Sequence, residues 1–112
     1  MREVKNYPER GDLFWGQMDP SVGAEIQKVR PVVIMSLTPL NRSRKTVIVV
    51  PLSTSAPPIE FLNVAFPNGS VARCEHIRSI DKSRLGKRIG KVRVENLSAI
   101  EKGLARIIGL DR

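Results

Sequence analysis

The chain has 112 residues, room for one domain with one core and too few for two. Hydrophobic content (41%) and charged content (27%) are ordinary for a globular protein, but Lys and Arg outnumber Asp and Glu by 19 to 11, for a net charge of +8. That surplus favours an anionic partner, a nucleic acid or an acidic protein segment, while the single cysteine excludes an internal disulfide or a thiolate cluster.

Residues 1–10 read as a loose polar lead-in within a single domain spanning 1–112. The start "MREVKNYPERGD" has no apolar stretch of the kind a secretory signal needs, so the expected location is cytoplasmic and the RGD at 10–12 is not an adhesion tripeptide. "DLFWGQM", 12–18, reads as a first strand with Leu13 and Trp15 on one face. "DPSVGAEIQKVR", 19–30, reads as a loop, with Asp-Pro, Gly23 and mixed charge. "PVVIMSL", 31–37, and "TVIVVPLS", 46–53, are β-branched apolar runs of the kind that form buried strands. They are too short to span a bilayer, and no basic amphipathic helix suggests a membrane surface. "TPLNRSRK" between them reads as a cationic linker, and "TSAPP", 54–58, as a second break. "EFLNVAF", 60–66, and "SVARCEHI", 70–77, flank Asn68-Gly69, a strong hairpin signal. Asp81 is placed to cap a short turn over Lys82–Leu85, closed by Gly86. From Val94 to Gly109 the period changes. Leu97, Ile100, Leu104, Ile107 and Ile108 fall on one helix face, Glu95 suits the first turn, Arg106 the last, and Gly109 the position after the end. The expected fold is mainly β, a small antiparallel sheet or partly open barrel covered by a C-terminal helix.

The stretch "RCEHIR", 73–78, sets a carboxylate and the chain's only histidine between arginines. In a strand, Arg73 and Glu75 share a face about 6–7 Å apart, and His76 points away from Glu75. Such a pair can flank one phosphodiester: the carboxylate takes a proton from a ribose 2′-OH, and the guanidinium offsets charge developing on the phosphate. No run of metal-ligand residues suggests another scheme. Alternating Arg and Glu on a strand is usually a solvated face, and pattern alone favours that reading. The histidine can be structural, Cys74 a small core residue, and the cations mere solubility. Aromatics make up only 4%, so base stacking cannot be the main source of affinity for a single strand.

Several segments together resemble the MazF/PemK/Kid toxins of bacterial toxin–antitoxin systems. "RGDLFWGQMDPSVGAEIQKVRPVVIMS", 10–36, is similar to the family's opening of RGD, strand, D-P turn, G-x-E loop, R-P and apolar strand. "VIVVPLSTS", 47–55, resembles its next strand, "VARCEHIRSIDKSRLGKRIG", 71–90, its acidic-residue strand and R-T-I-D-K-x-R-L segment, and "VENLSAIEKGLARIIGL" its final helix. Each piece is weak alone; their order and spacing are specific. The resemblance implies a CcdB-like fold related to SH3-like barrels and a homodimer. It also implies metal-independent cleavage of single-stranded mRNA to a 2′,3′-cyclic phosphate and a 5′-OH, with no cofactor. The implied partners are the RNA, an acidic antitoxin whose flexible segment occupies the RNA groove, and operator DNA only through the toxin–antitoxin complex.

Carried over by position, Arg30, Ser53, Arg73 and Glu75 match catalytic positions of the family, with Ser where Thr is common and Glu where Asp is common. Thr54, Phe61, Val71 and His76 fall at or near RNA-contacting positions, and Glu25 matches the loop glutamate. Ala24 stands where some relatives carry His, and His76 where Gln is frequent. Two rivals remain open: a gyrase poison like CcdB, and a binding module of the same fold without chemistry. The first depends on a C-terminal tryptophan, whereas this chain ends "IIGLDR" and its one tryptophan is Trp15.

Overall fold

A computed structural model describes residues 7–18, 29–54, 58–59 and 63–110. β1 (Asp12–Gln17) pairs antiparallel with β2 (Val29–Ile34), Leu13 opposite Val33 and Gly16 opposite Arg30. After a short helix α1 (Thr38–Ser43) the chain enters β3 (Thr46–Ser53), the hub of the sheet. One edge of β3 pairs with β2. The other edge is shared by two strands: β5 (Val71–Ala72) against Leu52 and Ser53, and β6 (Arg78–Asp81) against Thr46 to Val49. β4 (Val64–Ala65) adds outside β5, and β7 (Leu85–Lys91) outside β1. The strand order is β4-β5-β3-β2-β1-β7, with β6 beside β3. The sheet is open, since its end strands β4 and β7 do not pair with each other among the described residues. α2 (Val94–Ile107) follows.

The apolar runs are continuous because both faces of β2 and β3 are covered. One face sends Val33, Val50 and Leu52 into a core with Met35, Ala72, Cys74 and Ile100, closed by Leu97, Leu104 and Ile107 of α2. The other sends Val32, Ile34, Val47 and Val49 into a second cluster with Met18 and Ile80. The helix ends as its sequence dictates: Gly109 at φ 77 follows the C-cap Ile108, and Leu110 N–H donates back to Ala105 O. In the hairpin, Gly69 N–H donates to Phe66 O across Pro67-Asn68, and Gly69 takes φ 89, the left-handed residue that a three-residue hairpin loop requires. The Asp81 carboxylate accepts from Ser83 N–H and caps a 3-10 turn, Lys82–Arg84.

Elsewhere the structure corrects the sequence reading. The linker after β2 contains α1, opened by Pro39 near its start and anchored by fully buried Asn41, which donates to Pro8 O and Ser36 O. Gly86 does not close a turn but lies inside β7, a strand the sequence reading missed. The strand expected over 60–66 is only Val64–Ala65, with 60–62 outside the described residues. The expected loop is likewise undescribed over 19–28, and its last two residues already belong to β2. Most consequential, the strand expected over 70–77 stops at Ala72, and Cys74–His76 form a one-turn 3-10 helix. Pro51 explains the break. On that edge of β3 it offers a carbonyl, taken by Arg73 N–H at 2.8 Å, but has no N–H to continue the ladder. The chain peels off at Arg73 and rejoins as β6 opposite Val49.

Candidate functional site

The seam between β3 and β5 carries two groups of polar side chains. The first lies where β2 begins and β3 ends. Half-buried Arg30 donates from Nη1 to Ser53 Oγ at 2.8 Å. Both line an open cavity of about 570 Å³, together with exposed Thr54, Trp15 and Asn68 and buried Ser70. A guanidinium offers five donors in a planar fork, so one bond to a hydroxyl leaves the rest of the fork to take a phosphate.

The second group follows from the break opposite Pro51. Arg73 is buried, at 6% exposure, and donates from Nη1 to Asn63 Oδ1 at 2.9 Å. The amide of Asn63 then donates from Nδ2 to Glu75 Oε1 at 2.6 Å. The other carboxylate oxygen, Oε2, lies 3.8 Å from His76 Nε2, and the imidazole is two-thirds exposed. Ser53 pairs with Val71 across the seam, and Arg73 follows two residues later, so the two groups hang on one junction.

Six of the eight residues expected at the site thus gather in these two groups: Arg30, Ser53 and Thr54 at the cavity, Arg73 just before the 3-10 turn and Glu75 and His76 on it. The shared strand face expected for Arg73 and Glu75 does not exist; the Asn63 amide joins them instead. His76, expected to point away from Glu75, is beside it. Val71 is only 4% exposed, so its side chain offers almost no surface to an RNA. Phe61 and Glu25 lie outside the described residues. Asn63 was missed; its one signal is an amide inside an apolar run, where a strand disfavours Asn.

Cys74 is a core residue. Burial, with the Glu75 charge adding to it, pushes its thiol up from 9.0 to about 11. Among the described residues no three of His, Cys, Asp and Glu come together in a way that could hold a metal, and no helix is long and apolar enough to cross a membrane. Much of the cationic run after Asp81 is already engaged. Lys82 donates to Asn41 O at 2.7 Å, Arg88 pairs with Asp12 at 3.1 Å, and Lys91 with Glu9 at 3.6 Å. Lys87 and Arg93 remain exposed.

Comparison with known proteins points one way. The family described as "PemK-like, MazF-like toxin of type II toxin-antitoxin system" matches residues 9–108. Over 96 residues the chain is 33% identical to the endoribonuclease PemK of Escherichia coli, covering 79% of this chain and 72% of that one. A solved mycobacterial endoribonuclease, in complex with its cognate antitoxin, matches with a TM-score of 0.77 at 25% identity, over 94% of this chain and 98% of that one. The MazE–MazF structure from Deinococcus radiodurans reaches 0.83 at 23% identity, over 96% and 100% of the two chains, a likeness of fold.

Proposed function

Because the chain belongs to the PemK-like, MazF-like toxins of type II toxin–antitoxin systems, we propose that it is an endoribonuclease toxin cutting single-stranded mRNA without a metal or cofactor. The Glu75 carboxylate removes the 2′-OH proton, and the 2′-oxygen attacks the adjacent phosphorus. The bond from phosphorus to the 5′-oxygen then breaks, leaving a 2′,3′-cyclic phosphate and a 5′-OH. Arg30 and Arg73 stabilise charge on the phosphorane and the departing oxygen. Neither acts as the acid, since a guanidinium does not release its proton near neutral pH; water supplies the proton. Ser53 orients Arg30, and Thr54 and His76 contact the RNA.

What supports this reading most is the placement of Glu75: one carboxylate oxygen is anchored by an amide, and the other is directed toward an exposed imidazole, with no salt bridge to arginine among the described residues. A structural ion pair has no need of that arrangement. The proposed partners are single-stranded RNA, an acidic antitoxin segment, and a second copy of the chain that completes the RNA groove. Operator DNA is bound only by the toxin–antitoxin complex. Purified protein incubated with long single-stranded RNA in EDTA is expected to give fragments ending in cyclic phosphate. Intact RNA, or cleavage restored only by added metal, contradicts the proposal. Sedimentation at micromolar concentration is expected to give twice the chain mass, and a fully active monomer would remove the shared groove.

A further inference from the structure

We infer that Asn63 is a positioning residue for the cleavage reaction: its side-chain amide fixes Glu75 and polarises it along a defined line from Arg73. This inference rests on the assignment of Glu75 as general base. The amide is used from both ends. Oδ1 accepts from Arg73 Nη1 at 2.9 Å and from Ile59 N–H at 2.7 Å, while Nδ2 donates to Glu75 Oε1 at 2.6 Å. Asn63 N–H donates in turn to Ile59 O at 3.1 Å. The orientation is therefore set by charge. Flipping the amide puts its NH₂ against a guanidinium and a backbone N–H, and its oxygen against a carboxylate.

Two consequences follow for the base. First, Glu75 has one more rotatable bond than an aspartate at the same place, and an unanchored carboxylate there is spread over several rotamers. Tying Oε1 to Asn63 leaves Oε2, the oxygen facing His76, as the one that meets the 2′-OH proton. Second, the Asn63 amide bridges buried Arg73 to Glu75, so the guanidinium polarises the amide that holds the carboxylate. The position carries no sequence signal of catalysis, because Asn63 precedes the 3-10 turn by more than ten residues and joins it only in the fold.

The test combines Asn63→Ala, Asn63→Asp and Glu75→Gln in cleavage of a long single-stranded RNA, with thermal melts to verify folding. Asn63→Ala is expected to lower kcat by about ten- to hundredfold, the range for a lost hydrogen bond to a charged group, with KM within several-fold. Asn63→Asp sets a second carboxylate against Glu75, so the acid limb of its kcat–pH profile is expected to move to higher pH. In a Glu75→Gln background, Asn63→Ala is expected to cost little more, because both act through the same carboxylate. Equal losses in both backgrounds, or an unmoved acid limb in Asn63→Asp, overturn the inference. Glu75→Gln at the wild-type rate overturns the base assignment and the inference with it. A slow Glu75→Gln beside a fully active Asn63→Ala overturns the inference alone.

Discussion

Removing the Ser53 hydroxyl isolates the part played by Arg30. Ser53 Oγ is the acceptor that holds Arg30 Nη1 at 2.8 Å at the mouth of the cavity. Ser53→Ala leaves the guanidinium in place but removes what aims it. A hydrogen bond to a charged group contributes about 1.5–3 kcal/mol, and each ~1.4 kcal/mol changes a rate tenfold. If that alignment is used in the transition state, cleavage is expected to slow by about ten- to hundredfold. Ser53→Thr keeps the hydroxyl at the end of β3 and is expected to stay within several-fold of wild type. Single-turnover cleavage of a long single-stranded RNA at saturating protein reads the chemical step. Circular dichroism verifies that the variant remains folded. Ser53→Ala cutting at the wild-type rate, or Ser53→Thr as slow as Ser53→Ala, refutes an orienting role for the hydroxyl.

Ile100 is fully buried between α2 and the sheet, so Ile100→Ala is expected to destabilise by about 2–5 kcal/mol and lower the melting temperature by more than about 8 °C; a shift of a degree or two contradicts helix α2 as the lid of that core. The Cys74 thiol, raised from 9.0 to about 11, binds its proton more tightly in the folded state than in the unfolded one. Its contribution is therefore intact below about pH 9 and lost as pH rises towards 11, so wild type is expected to lose stability across that window faster than Cys74→Ala. Equal slopes in denaturant melts contradict it. Binding of an acidic antitoxin peptide is expected to weaken steadily with salt, since exposed charges such as Lys87 and Arg93 are screened over a Debye length of about 8–10 Å; salt-independent affinity points to an apolar interface instead.

Local pattern revealed those elements whose environment is uniform. β3 is legible because Val47 to Leu52 is an apolar, mostly β-branched run that serves both faces, and α2 because its apolar stripe meets one core. β7 was not, because "LGKRIGK" carries three cations and two glycines. Nothing in its own composition favours a strand; pairing with β1, irregular between Leu13 and Gly16, holds it at the sheet's edge. The site was half legible. Resemblance placed Arg30, Ser53, Arg73 and Glu75, but alternation of charged and apolar residues over 70–77 imitates a strand, and the geometry deduced from it was wrong. The decisive cue lay elsewhere, in Pro51 inside an otherwise unbroken apolar run. A proline there silences one ladder donor and forces the neighbouring chain to turn. That turn brings His76 beside Glu75 and makes room for Asn63, neither of which local periodicity can report.

The assignment of Glu75 as the base that activates a ribose hydroxyl is tested most directly by pairing one substitution with one substrate change. Glu75→Gln keeps the size of the side chain and its contact with Asn63 but cannot accept the proton. General base catalysis contributes about 10²–10⁴-fold, so cleavage is expected to fall by that much while RNA binding stays within several-fold. A substrate carrying 2′-deoxyribose at the cut position is expected to resist the wild-type protein altogether, because the internal nucleophile is gone. Cleavage of that substrate at the same bond, or a Glu75→Gln protein that cuts at the wild-type rate, contradicts the mechanism and returns Glu75 to a structural role on a charged turn.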